Sequence, residues 1–126
     1  MTTYPDLAYK ILSHADWQRT VAEGHYEGSP VDQADGYIHL STEAQLPGTA
    51  AKHYTGKDSL ILVEVRLSGL GDDLVWEPSR GGDLFPHIYG PLPLKATGRA
   101  WPLCVTDEGR MILGDTAPAQ PGGLFP

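Results

Sequence analysis

The sequence predicts an α+β fold with a mostly antiparallel or mixed β-sheet. Three observations carry that expectation. Segments with helical period and capping chemistry fall in the first half of the chain, short alternating segments fill the second half, and no regular strand–helix–strand repeat links them. The 126 residues, 40% of them hydrophobic, suit one domain with a true core. Residues 1–114 are expected to form that compact domain. Residues 115–126, "DTAPAQPGGLFP", read as an irregular Pro/Gly-rich tail.

Each element has its own justification. "AYKILS" (8–13) alternates as a short strand. Ser13, three residues before Asp16, is placed to cap a helix over "ADWQRTVAEG", in which Trp17 and Val21 share a face and Gly24 suits the end. "HYEGSPVDQADG" (25–36) reads as a loop because of Gly28, Pro30 and Gly36. In "GYIHLS", alternation sends Ile38 and Leu40 to the core and turns Tyr37, His39 and Ser41 to the opposite face. Thr42 and Gln45 form a T-x-x-Q capping box that starts a helical turn at Glu43. Pro47 fits the first turn of a second helix ending near Gly56.

The second half reads as strands. "SLILVEVRLSGL" is the clearest, with Ile61, Val63, Val65 and Leu67 on one face. The other face is apolar at Leu60 and Leu62 and charged at Glu64 and Arg66, as for a central strand with one end in solvent. "DLVWEPS" opposes Val75 and Glu77 to Trp76, and "SRGGD" is a turn. "LFPHIYGPLPL" is broken by Pro86, Pro91 and Pro93, so it reads as a short edge strand or extended segment with Phe85, His87 and Tyr89 on one side. "ATGRAWPLCVT" and "RMILG" flank "DEG" as a hairpin with Gly109 in the turn.

Composition narrows function. Nine basic against 16 acidic residues give a net charge of −7, which disfavours long nucleic acid as a partner but leaves room for a local site for one small anion. No apolar run approaches the ~20 residues that span a bilayer, and the first residues lack a secretory pattern. The single cysteine, Cys104, excludes an internal disulfide and reads as a core thiol in "PLCV". A cytoplasmic location without membrane contact is the expectation.

His39 leads the candidate residues, since an imidazole on the face away from the core can hold a ribose or phosphate oxygen or exchange a proton near neutral pH. Ser41 and the helix start at Thr42 stand beside it, although capping alone explains Thr42. Glu77, between Trp76 and Pro78, could stabilise a developing cation. Tyr37, His87 and Tyr89 could line a cleft, and Arg80 in the "SRGGD" turn could reach an anion. His14, His25 and His53 fit no pattern. No metal site is expected: zinc accepts a His39, His87 and Glu77 set, but the His-x-x-x-His and Cys-x-x-Cys spacings are absent. No nucleophile-elbow, phosphate-loop or dinucleotide fingerprint occurs either.

Taken together, "YKIL", "DGYIHLST", "TAAKHY", "LILVEV", "VWEPS" and "LFPHIYGPL" resemble, in order and over residues 9 to about 96, the small bacterial proteins of the domain of unknown function 952 family. That family has been placed by distant similarity in the ADP-ribosyltransferase-like superfamily. The resemblance implies a split β-sheet with a cleft for NAD, as a substrate, or a related ADP-ribosyl compound. It implies that His39 contacts the nucleotide's ribose, and that Glu77 or the His87–Tyr89 pair supports an oxocarbenium-like state at the ribose C1′. The expected partner is therefore a small nucleotide-like ligand. The rival from another class is a non-catalytic module binding a small metabolite or a protein, and a third reading is a small hydrolase or metal-dependent enzyme. A shared site makes one spatial demand: His39, Glu77, His87 and Tyr89 must converge.

Overall fold

The structure, a computed structural model, describes residues 4–78 and 82–114 together with the backbone of 117 and 118. In chain order the elements are β1 (Leu7–Ser13), α1 (His14–Glu23), β2 (His25–Tyr26), α2 (Pro30–Asp35), β3 (Ile38–His39), α3 (Leu46–His53), β4 (Leu60–Arg66), β5 (Leu74–Pro78), β6 (Leu84–Ile88), β7 (Leu92–Pro93), β8 (Thr97–Val105), β9 (Met111–Leu113) and β10 (Ala117–Pro118). The fold is α+β, and every strand pairing among the described residues is antiparallel.

The largest sheet runs β1-β4-β8, with β9 and β10 both on the far edge of β8. β4 is central, and its alternation separates two cores. Ile61, Val63 and Val65 pack with Ala8 and Leu12 of β1 and with Trp17 of α1. Leu60 and Leu62, on the other face, pack with Tyr9, Ile11 and the α3 residues Leu46 and Ala50. Each such aliphatic side chain contributes about 1.5–3 kcal/mol through burial, which is why so regular a strand fixes the middle of the sheet. A second sheet runs β3-β6-β5, and β2 pairs with β7. The first two sheets meet where Tyr9 and Ser41 exchange both backbone hydrogen bonds, at 2.7 and 3.0 Å.

Local chemistry explains the helices. The Ser13 hydroxyl accepts the Asp16 N–H (3.0 Å), and α1 ends at Gly24 in the left-handed region (φ 87°). Thr42 and Gln45 close their box reciprocally: Thr42 Oγ1 accepts the Gln45 N–H (3.2 Å) and Gln45 Oε1 accepts the Thr42 N–H (3.0 Å). That closed turn spans 43–45 and leads into α3.

Three expectations need correction. Among the described residues there are three α-helices, not two, because 25–36 is not a loop: it forms β2 and the six-residue α2. Ser29 caps α2, Pro30 opens it, and Gly36 (φ 90°) ends it. Only one position of α2, Asp32, is buried, so no apolar period marks the segment as helical. The third correction concerns β6, which is the middle strand of its sheet and not an edge. Pro86 is tolerated because β3 is so short. The ladder on that side pairs only Ile38 with Ile88 and His39 with His87, and beyond it the Pro86 carbonyl still accepts the Leu40 N–H at 3.0 Å. The β8–β9 hairpin has Gly109 in its turn, as read from the sequence. Within the tail, Ala117–Pro118 pairs with Ala100 and Arg99; residues 115–116 and 119–126 lie outside the described residues. Among the described residues no helix is long and apolar enough to cross a membrane.

Candidate functional site

β3 buries Ile38 and Leu40 and turns Tyr37, His39 and Ser41 the other way, as alternation requires. What His39 meets there is α2. Asp32 is the third residue of α2 and closes the capping box: Ser29 Oγ accepts the Asp32 N–H (3.1 Å) and Asp32 Oδ2 accepts the Ser29 N–H (2.9 Å). The same carboxylate accepts the His39 Nδ1–H at 2.6 Å and the His39 backbone N–H at 3.2 Å. It also pairs with Lys10 of β1, whose Nζ lies 2.9 Å from Oδ2. Asp32 is 2% exposed and Lys10 is 7% exposed. Burial alone would raise the Asp32 carboxyl, but Lys10, the His39 ring and the Ser29 N–H together hold it below its ordinary value. His39 Nε2 faces a second carboxylate, Asp35 Oδ2, at 3.0 Å.

A second histidine repeats the pattern. His87 on β6 is 2% exposed, and its Nδ1 lies 2.7 Å from Glu77 Oε1 on β5. Glu77 is paired with Phe85, so His87 is its diagonal neighbour on the same sheet face. The Tyr89 hydroxyl donates to the same oxygen at 2.8 Å. The bonds from His87 and Tyr89 hold the Glu77 carboxyl below its usual range, and the bond to Glu77 raises the Tyr89 hydroxyl. Tyr37 binds the two halves together. Its ring stacks on His87 at 4.2 Å and lies 4.7 Å from His39 and 5.2 Å from Tyr89, with the two imidazoles edge to face at 5.3 Å. His39, Glu77, His87 and Tyr89 thus meet in one cluster around Tyr37.

A cleft of about 600 Å³ opens beside this cluster. Its lining includes Lys10, Asp32, Asp35, His39, Ser41 and His87, together with Lys52 and His53 of α3 and Lys57 just beyond that helix. Lys52 and Lys57 are exposed and form no salt bridge among the described residues. The cleft therefore carries two exposed cations in its lining although the chain is acidic overall. Ser41 Oγ hydrogen-bonds Thr49 Oγ1 (2.8 Å), and both residues line the cleft.

Not every residue singled out in the sequence lines that cleft. Tyr37, Glu77 and Tyr89 lie behind the imidazoles, Thr42 serves the turn before α3, and Arg80 lies outside the described residues. Sequence reasoning missed Lys10, Asp32, Asp35, Lys52 and Lys57. The pattern Ser29-x-x-Asp32 was a visible capping signal for Asp32. Nothing local could have announced its pairing with Lys10, 22 residues away. Among the described residues no group of three or more His, Cys, Asp or Glu has the arrangement of a metal site.

Comparison with known proteins gives a family and a fold. The family model described as protein of unknown function (DUF952) matches residues 11–100. A crystal structure of protein CC0527 from Caulobacter crescentus is 47% identical, with a TM-score of 0.80 over 84% of this chain and 93% of that one. The solution NMR structure of CC0527 is also 47% identical, with a TM-score of 0.73 over 84% of this chain and 91% of that one. Among curated proteins, none matches at a significant level.

Proposed function

Since the chain belongs to the DUF952 family, whose description assigns no activity, we propose from the geometry that its cleft binds NAD, ADP-ribose or a related nucleotide and acts at the C1′ of a ribose. The observation that carries this reading is the pair of carboxylate-backed histidines, His39 on Asp32 and His87 on Glu77, 5.3 Å apart in the lining of a cleft that also carries Lys52 and Lys57. A buried ion pair such as Lys10–Asp32 contributes little net stability once its desolvation is counted. Its position against His39 is accounted for if its task is to hold that imidazole in one orientation.

In this reading the exposed Asp35 side chain swings off His39 Nε2, which then holds a sugar hydroxyl with Ser41, His87 lines the ribose, and Lys52 and Lys57 neutralise phosphate. Glu77, Tyr89 and Tyr37 are positioning residues that act through His87. In the reaction with NAD, the bond from C1′ to the nicotinamide nitrogen breaks and its electron pair leaves with neutral nicotinamide. Water then adds its oxygen to the oxocarbenium carbon and releases a proton to solvent. The Asp35 carboxylate in the cleft lining favours that cation.

Calorimetric titration with NAD and ADP-ribose, alongside chromatography for released nicotinamide, tests the proposal. Binding of both, with nicotinamide release that falls at least ~100-fold in His39→Ala, is the expected result. Absence of heat for either ligand at millimolar concentration sinks it. One observation favours a second reading, a binding module without turnover: both ring nitrogens of His39 already face carboxylates. That reading predicts nucleotide binding with no nicotinamide release.

A further inference from the structure

A second chamber of about 460 Å³ adjoins the cleft, and the two share Ile11, Ser29, Tyr54 and Lys57 as their common border. Both volumes fall within the ~300–1,000 Å³ typical of small-molecule sites. Lys57 therefore stands at a junction; its ammonium lies over the Tyr54 ring, 5.8 Å from the centroid. Beyond it the chamber is lined by Tyr26, Asp16, Asp58 and Ser59.

Tyr26 is the most informative of these residues. It is 6% exposed, yet its hydroxyl makes no hydrogen bond among the described residues, and no fully enclosed side-chain oxygen or nitrogen there is left unpartnered. The hydroxyl must then reach the chamber, where a ligand atom or water completes it. Burial, with Asp32 and Asp16 nearby, pushes its ionisation far up, so it stays a neutral donor. Ser59 adds a strained position: among the described residues it is the non-glycine residue with a positive φ, 57°, and its carbonyl accepts the His14 N–H at 2.9 Å. The chamber's carboxylates disfavour a phosphate inside it. They suit hydroxyl and amino donors, with Tyr26 serving one acceptor.

We propose that the second chamber binds the second nucleoside of a dinucleotide, with the linking phosphates at Lys57 and the reacting ribose in the larger cleft. This rests on the nucleotide reading above and sharpens it to a two-headed ligand. Calorimetry with NAD, nicotinamide mononucleotide and AMP, on the wild type and on Tyr26→Phe, Asp58→Asn and Lys57→Met, tests it. NAD should bind at least tenfold tighter than either mononucleotide. Tyr26→Phe and Asp58→Asn should weaken NAD several-fold and leave nicotinamide mononucleotide unchanged, while Lys57→Met weakens both. Asp58 is exposed, so its variant keeps the test open should Tyr26→Phe disturb the core. Equal affinities for NAD and nicotinamide mononucleotide, or NAD binding indifferent to both chamber variants, overturn the second site and leave the nucleotide reading standing. Failure of all three ligands overturns both.

Discussion

Asp32 gathers four donors on two oxygens: the Lys10 ammonium, the Ser29 N–H, and both the backbone N–H and the ring of His39. Removing its charge strands a buried ammonium, and breaking a buried pair from one side costs about 3–5 kcal/mol. Asp32→Asn should therefore lose about that much in urea unfolding. Lys10→Met should lose less, because the carboxylate it leaves behind keeps three donors. Acidity follows the same carboxylate. Its native ionisation lies below the ordinary value of 3.8, so its contribution is fully present above 3.8 and disappears as pH falls through the lowered native value. Wild-type stability should drop across that acid window, and Asp32→Asn should show a shallower drop there; equal slopes in acid unfolding curves would refute the assignment. His39 itself was legible, because strand alternation alone turns it away from Ile38 and Leu40. Asp32 was not, because its importance lies in a partner brought in from β1.

Elements with strong local chemistry were readable, and those defined by their neighbours were not. β4 announced both of its faces, and the T-x-x-Q pattern located the turn before α3. α2 exposes nearly every side chain, so only its cap and its terminal glycine could have revealed it. β6 looked like an edge because prolines are expensive inside a sheet, and only the shortness of β3 shows why Pro86 does no harm. A test at this scale separates support from binding. Thr42 was a binding candidate in the sequence, yet its hydroxyl accepts the Gln45 N–H and does not line the cleft. Thr42→Ala should cost about 1 kcal/mol, the usual worth of a cap. Calorimetric affinity for ADP-ribose should change less than about twofold, below the tenfold that ~1.4 kcal/mol represents. A larger loss of affinity would return Thr42 to the site.

For the whole molecule, the fold class and the antiparallel pairing followed from the order of patterns along the chain. The division into separate sheets did not follow from those patterns; a split sheet was implied by the family resemblance alone, and the Tyr9–Ser41 junction between the sheets is tertiary. Net charge misleads in a comparable way. At −7 the chain should repel a nucleotide, yet Lys52 and Lys57 line the cleft and form no salt bridge among the described residues. Screening decides between the global and the local charge, since fields from exposed groups fade over about 8–10 Å at physiological salt. Lys52→Glu and Lys95→Glu make the same two-unit change in net charge, but Lys95 lines neither chamber. If local charge governs binding, Lys52→Glu should weaken ADP-ribose roughly tenfold, the loss of one exposed contact plus a new repulsion at ~1–2 kcal/mol. Lys95→Glu should stay within about twofold of wild type, since Lys95 lines neither chamber and salt screens exposed charges that do not touch the ligand. Both residues are exposed, so unfolding midpoints should barely move and any change in affinity can be assigned to the cleft. Equal losses for the two variants, measured by titration at fixed salt, would mean that the molecule's overall charge governs binding and that the cations lining the cleft do not.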